Sequence, residues 1–158
     1  MIRSLSRAPW VLALLCLLIA GSARAQLTIE IVGGGATTIP IAIVPFASDA
    51  YPVSTTAVVS ADLARSGLFK VVDAGGVVPR PSRAEEVRYG DWTSRGADAV
   101  VVGSMAPQPD GRIEVRFALL DTVKQGQLAA VTYVVPPAQL RATAHRIADA
   151  IYEKLTGD

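Results

Sequence analysis

The sequence predicts an α/β fold, a single domain with a mixed β-sheet of about five to six strands and helices packed on it. Residues 39–46 and 99–103 are almost wholly apolar, which suits strands whose two faces are both covered. Residues 54–66 and 140–155 carry apolar side chains at helical spacing. Residues 112–120 alternate between apolar and polar side chains, as in a strand with one drier face. Together these patterns indicate a mixed sheet covered by helices.

The composition limits the class of protein. The chain has 158 residues, of which 51% are hydrophobic and 18% charged, which fits one globular domain and excludes a collagen-like chain or a disordered acidic tail. Residues 1–25 hold three arginines and no acid, so residues 26–158 carry 12 bases and 14 acids. This near-neutral balance lacks the basic surface that phosphate binding needs. We therefore expect no nucleic-acid partner.

Residues 1–25 have the pattern of an export signal. Arg3 and Arg7 precede an apolar run at residues 10–20, and Ala23-Arg24-Ala25 supplies small residues at cleavage spacing. The run is shorter than the roughly 20 residues that span a bilayer, so we expect cleavage after Ala25 and no membrane insertion afterwards. The only cysteine, Cys16, lies inside this run, which excludes disulfides and thiolate metal sites in the mature chain.

The first elements after the signal are a short strand, a hinge and a β-α-β unit. Leu27, Ile29 and Ile31 alternate with their neighbours, and the glycines 33–35 then interrupt the pattern. We expect residues 26–38 to be a flexible segment, because consecutive glycines lose much backbone entropy on ordering, and residues 39–158 to be the folded domain. The β-α-β unit is predicted as a strand at 39–46, a helix at 54–66 ended by Gly67, and a parallel strand at 68–72.

The sequence after residue 72 predicts a loop, a short helix, three strands and a long helix. Ser82 and Glu85 have the spacing of a capping box for the short helix, which should end by Gly96. We expect the three strands at residues 99–103, 112–120 and 128–135, where they form an antiparallel meander. The final helix is expected at residues 136–156.

The sequence contains no recognisable catalytic, cofactor or metal site. Ser104 follows a strand but lacks the second glycine of a nucleophile elbow. His145, the sole histidine, is expected to face solvent without metal partners, and Trp92 and Tyr89 are expected to be packing residues. The remaining acids near element ends are of the kind that cap or turn the chain, namely Asp91, Asp98, Asp110 and Asp121.

Residues 26–38 are the feature that folding explains least. An apolar alternating strand tethered by three glycines can leave its own sheet and add to the edge of a partner's sheet through main-chain hydrogen bonds. The alternative is an ordinary edge strand of this domain. The pattern alone does not separate the two.

Several stretches together resemble the N-terminal domain of the TolB family of the Tol-Pal system. These are QLTIEIVGGGATTIPIAIVPF, VVSADLARSGLFKVVD, DWTSRGADAVVVGSMAPQPDGRIEVRFALLDT and IADAIYEKLTGD, in that order after the signal. The resemblance covers the whole chain after residue 25.

The resemblance implies a periplasmic adaptor without catalysis or cofactor. In that family the protein links the C-terminal domain of TolA to the lipoprotein Pal, and the system keeps the outer membrane intact and invaginating during cell division. The family's TolA-binding element corresponds here to Gln26, Leu27, Thr28, Ile29, Glu30, Ile31, Val32, Gly33, Gly34, Gly35, Ala36 and Thr37. A switch that docks or releases this element according to Pal binding would use the glycine hinge.

Two features of this sequence depart from the family pattern, and one other class of protein also fits the sequence. The family's main Pal surface lies in a β-propeller, so Pal binding by these 158 residues is not expected. Residues 32–35 are more apolar and glycine-rich than is usual in the family, and ordering them costs about 1 to 2 kcal/mol per residue, which predicts weaker TolA binding. The competing class is a periplasmic accessory module that activates peptidoglycan synthases or assembles secretion pores, since such modules share the IAIVPF strand followed by a helix.

Overall fold

The computed structural model describes residues 37–157. Within them the chain forms five strands and three helices, as the sequence predicts. The strands are β1 (Ile39–Ile43), β2 (Phe69–Val72), β3 (Ala99–Pro107), β4 (Ile113–Asp121) and β5 (Gly126–Val135). The helices are α1 (Thr55–Arg65), α2 (Tyr89–Thr93) and α3 (Leu140–Thr156), and short 3-10 helices lie at Ala84–Glu86 and Pro137–Gln139.

The strands form one mixed sheet in the order β2-β1-β3-β4-β5. β1 is parallel to both β2 and β3, while β3, β4 and β5 are successive antiparallel neighbours. The β1-α1-β2 unit is therefore the predicted parallel crossover, and the last three strands are the predicted meander. β1 occupies an internal position next to the edge strand β2, so it has a neighbour on each side.

α1 and α3 cover one face of the sheet, which we call the helix face. Val59 and Leu63 of α1 and Ile147 and Ile151 of α3 are fully buried in one cluster with side chains of β1, β3 and β4. Both helices end at the predicted glycines: Gly67 follows α1 with a φ of +75°, and Gly157 ends α3 with a φ of +80°. Ser54 caps the start of α1 by accepting the Ala57 amide at 3.2 Å.

Residues 73–98, which we call the loop layer, cover part of the other face. Trp92 of α2 is fully buried there in one cluster with Ala42 of β1, Val44 just after β1, and Val100 and Val102 of β3. The two clusters together bury β1 on both faces, which is why its sequence is apolar throughout.

The predicted capping box and single helix of the loop layer are wrong. Glu86, not Glu85, accepts the Ser82 amide, at 2.8 Å, and the Arg83 amide, at 3.3 Å. Val87 is extended, with φ −77° and ψ 120°, so the segment divides into a 3-10 helix and the five-residue α2. The tighter winding of the 3-10 turn changes which carboxylate reaches the cap.

Gly103 of β3 permits the closest packing on the helix face. A Cβ at this position would lie 2.6 Å from the Phe46 ring and 2.6 Å from the main-chain oxygen of Arg116. The Phe46 ring therefore packs directly on the β3 main chain, and Ala47 forms a parallel bridge to Ser104 just beyond it.

Candidate partner-binding region

The predicted TolA-binding residues lie almost wholly outside the described part of the chain. Of Gln26 to Thr37, the structure describes Thr37, which is exposed. What the structure does show is the place where this segment joins the domain, together with the surfaces around that place.

The segment joins a strand that is held from both sides. The Ile39 amide donates to the carbonyl of Leu68 at 2.8 Å, and the Asp98 amide donates to the carbonyl of Pro40 at 2.9 Å. Ile39 itself is half-buried against the helix-face cluster. The junction therefore lies at an internal strand, one place in from the β2 edge of the sheet.

β2 is the edge strand beside this junction. Its register sets Phe69 opposite Ile39 and Val71 opposite Ile41. Phe69 is buried, but Val71 is 40% exposed although it is apolar. Lys70 is exposed and forms no ion pair among residues 37–157. This edge thus combines an exposed apolar side chain with an uncompensated positive charge.

The last turn of α3 lies at the same end of the sheet as this junction. The Tyr152 ring meets the Phe69 ring edge-on, with centroids 6.0 Å apart. Phe69 is also the ladder partner of Ile39, so this ring contact places Tyr152 beside the start of the pairing between β1 and β2.

A charged contact joins α1 to α3. The carboxylate of Asp62 contacts Nδ1 of His145 and the guanidinium of Arg65. Burial raises the pKa of Asp62, but the hydrogen bonds from His145 and Arg65 outweigh burial and hold that pKa below its usual 3.8. His145 is 46% exposed, so its predicted solvent exposure is confirmed. Its contact with Asp62 was missed, since no local spacing connects residues that are 83 positions apart.

The comparison with protein families decides the relationship. Residues 27–128 match the model of the TolB amino-terminal domain. This chain belongs to the TolB amino-terminal domain family. The family predicted from the sequence is therefore confirmed, and the family's relatives carry the name Tol-Pal system protein TolB.

Individual TolB proteins agree with the family model. The chain is 56% identical to the TolB of Nitrosomonas europaea over 146 residues, covering 92% of this chain and 34% of that protein. It is 52% identical to the TolB of Nitrosospira multiformis, covering 89% of this chain and 32% of the relative. The crystal structure of TolB from Acinetobacter baumannii superposes with a TM-score of 0.64 at 33% identity, covering 76% of this chain and 29% of that one. The chain spans about a third of the length of these proteins.

The residues considered for catalysis are dispersed over this TolB domain. Ser104 lies within β3, and Asp91 lies in the first turn of α2. Asp110 binds the amide of Arg112, and Asp121 accepts the amides of Val123 and Lys124, so both stabilise turns as expected.

Residues 37–157 contain neither a metal-binding group of side chains nor a membrane-spanning helix. The part of the chain from 37 to 157 brings no three His, Cys, Asp or Glu side chains into a group that could hold a metal ion. In the same residues, no helix has the length and apolar character that crossing a membrane requires.

Asp49 is a structural residue that the sequence reasoning missed in this TolB domain. Its carboxylate accepts the Thr55 and Thr56 amides at 3.1 and 3.0 Å, and the hydroxyls of Ser54 and Thr56 at 2.8 and 2.9 Å. The Thr56 hydroxyl in turn accepts the Phe46 amide at 2.9 Å. Asp49 therefore fixes the start of α1 to the end of β1. An acid five residues before a helix cap was the available signal.

Proposed function

We propose that this chain is a periplasmic adaptor of the Tol-Pal system, without catalytic activity, that binds the C-terminal domain of TolA through residues 26–37. In this role it contributes to outer-membrane integrity and to invagination during cell division. Residues 1–25 direct export and are removed. Pal binding is not part of the proposal.

The observation that carries the proposal is the family match, which begins at Leu27 and so includes the proposed binding segment. The relatives are Tol-Pal proteins, and identity of 56% over 146 residues extends through nearly all of this chain. The names of the relatives support a component of the Tol-Pal system, and the binding of TolA through residues 26–37 is what the proposal adds.

The sequence of the segment supplies a binding mechanism. Leu27, Ile29 and Ile31 fall on one side of an extended strand, which suits addition to a sheet edge in which main-chain hydrogen bonds give affinity and alternate side chains give specificity. The segment leads into β1, which is bonded on both sides. Force or motion from TolA would therefore be transmitted to an internal strand of the sheet.

Calorimetric titration of TolA's C-terminal domain tests the proposal. Residues 26–158 should bind, and residues 38–158, which retain the whole sheet and both clusters, should not. Substituting Ile29→Ser and Ile31→Ser should weaken binding at least about tenfold, because each isoleucine contributes roughly 1.5 to 3 kcal/mol when buried.

The matched control is Val123→Ser, which replaces an exposed β-branched side chain in the turn between β4 and β5. This variant should bind like the unaltered chain. Equal binding by residues 26–158 and 38–158 would refute the assignment of the site, and no binding by either folded protein would refute TolA as the partner.

A further inference from the structure

β5 is the second edge strand of the sheet, and unlike β2 it carries nothing that discourages pairing with another strand. β2 has four residues, one of which is the exposed Lys70. β5 has ten residues, and its sequence contains neither a charged side chain nor a proline. Short length, lysines and prolines are common means by which edge strands avoid association. Among residues 37–157, no strand pairs with the outer side of β5.

The hydrogen bonds of the β3–β4 ladder show which main-chain groups of β5 point outward. Just beyond the end of that ladder, the Thr122 amide donates to the carbonyl of Asp98 at 2.9 Å. Bonded and non-bonded pairs alternate along an antiparallel ladder, so the even-numbered residues of β4 bond to β3 and the odd-numbered ones bond to β5. The register sets these odd-numbered residues opposite odd-numbered residues of β5. The main-chain groups that point away from the sheet are therefore those of Ala130, Thr132 and Val134.

We propose that residues 129–135 of β5 pair with the same residues of a second copy of this chain, antiparallel and about a two-fold axis that passes between the two Thr132 residues. The outward main-chain groups of the two strands then bond to one another, since even-numbered residues lie opposite even-numbered residues. The pairing joins the two sheets into one continuous sheet. It does not depend on the proposed binding of TolA.

A bulge in β5 favours this register over the other symmetric ones. In the ladder with β4 the register skips Leu128, which is thus an extra residue in β5. A bulge bends its strand and interrupts regular pairing. Residues 129–135 are the regular stretch that follows, and Thr132 is its midpoint. A two-fold axis at Thr132 therefore pairs the whole regular stretch with itself.

The side chains of the two strands complement each other in this register. Val134 is 40% exposed and would lie opposite the small, exposed Ala130 of the second copy, so that each covers the other. Val131 and Tyr133 pack at the margin of the helix-face cluster and are only partly buried. They would lie opposite each other and extend that cluster across the interface. Aromatic–β-branched and Thr–Thr pairs are among the cross-strand pairs that stabilise sheets.

The charges beside this edge do not oppose self-association. The residue opposite Thr132 in β4 is Arg116, and its guanidinium pairs with the carboxylate of Glu114 at 2.7 Å. An edge strand without charges does not repel a second copy of itself. It also offers no charge that would select a basic or an acidic peptide instead. Charge therefore favours a second copy of this chain as the occupant.

Sedimentation velocity of residues 26–158 over a range of concentrations tests the association. A strand pair of this length buries less surface than the roughly 1,200 Å² of a stable complex, so the dimer should be weak. We expect a dissociation constant on the order of 100 μM, with one chain per particle at about 10 μM and mostly two at about 1 mM.

Charged variants at the two-fold axis test the register. Thr132→Lys and Thr132→Glu each set like charges opposite one another, so each variant alone should associate at least about tenfold more weakly. An equimolar mixture of the two should associate again, because opposite charges then meet. Thr132 is exposed, so both variants should stay folded, which circular dichroism checks. Val123→Lys, in the exposed turn before β5, is the matched control and should associate like the unaltered chain.

NMR on a mixture of labelled and unlabelled chains locates the contact. The α-protons of Val131 in one chain and Tyr133 in the other should show a direct contact, because the Cα atoms of a non-bonded pair are about 4.5 Å apart. A chain that stays monomeric up to about 1 mM would overturn the proposal, and so would a dimer that Thr132→Lys leaves intact. Protection of the Thr132 amide that does not change with concentration would show that the edge is covered within one chain, and would overturn the proposal as well.

Discussion

α1 and α3 cover the helix face with 11 and 17 residues of regular helix, whereas the loop layer covers the other face with one five-residue helix and irregular chain. On the helix face, many medium-sized side chains are buried, and those of α1 and α3 recur at helical spacing. The loop layer depends on Trp92, the largest fully buried side chain of its cluster. We therefore expect the stability of the helix face to be spread over many side-chain contacts, and that of the loop layer to depend mainly on Trp92.

Removing the Trp92 side chain should therefore have the largest effect on the stability of the domain. Trp92→Ala is expected to lower the free energy of unfolding by about 3 to 5 kcal/mol, because no neighbour in a short irregular layer can fill the space. Trp92→Phe should cost much less, since the buried indole Nε1 has no hydrogen-bond partner to lose. Urea unfolding measures both. If Ile147→Ala on the helix face cost more than Trp92→Ala, the proposed concentration of stability would be wrong.

The same contrast explains how much could be predicted from the sequence. The helix face follows spacing and caps within single segments, so α1, α3, the parallel unit and the meander were all predicted. In the loop layer, a 3-10 turn moved the cap from Glu85 to Glu86, and extended Val87 divided the predicted helix. The burial of Trp92 was predicted, but not the sheet residues that it covers.

The candidate site was predictable only as a segment. The alternation of Leu27, Ile29 and Ile31 predicts a strand, and these residues lie outside the part of the chain that the structure describes. The position of β2 at the sheet edge and the contact of His145 with Asp62 depend on strand order and on helix packing. Neither can be inferred from local spacing.

Gly103 tests whether the helix face is as tolerant as its distributed contacts suggest. Gly103→Ala should lower the free energy of unfolding by about 1 to 3 kcal/mol, because the new Cβ meets both the Phe46 ring and a main-chain oxygen. Adding Phe46→Leu should recover only part of the loss, since the Arg116 oxygen cannot move away. An unchanged unfolding midpoint for Gly103→Ala would mean that β3 and β4 adjust more freely than their long ladder indicates.

A smaller effect is expected from the Asp62 contact that joins the two helices of the helix face. Because the folded-state pKa of Asp62 lies below 3.8, its contribution to stability is present above pH 3.8 and is lost as the pH falls through the folded-state value. Asp62→Asn should cost less than about 1 kcal/mol near pH 7, as is usual for exposed ion pairs. Urea unfolding from pH 7 to pH 3 measures the difference in unfolding free energy between the two proteins. This difference should become smaller toward pH 3. A difference that stays constant with pH would show that the contact acts through packing and not through charge.

The loop layer has a corresponding carboxylate in Glu86. The Ser82 amide and then the Arg83 guanidinium lower its pKa from 4.5 to about 2. Its stabilising contribution is therefore present above pH 4.5 and is lost as the pH falls toward about 2. NMR titration of the Glu86 side-chain carboxyl should give this low midpoint directly. Arg83→Ala should raise the midpoint only part of the way to 4.5, because the Ser82 amide, the stronger cause, remains in place. A midpoint near 4.5 in the unaltered chain would mean that the 3-10 cap does not persist in solution, and Trp92 would then hold the loop layer without the help of its neighbouring turn.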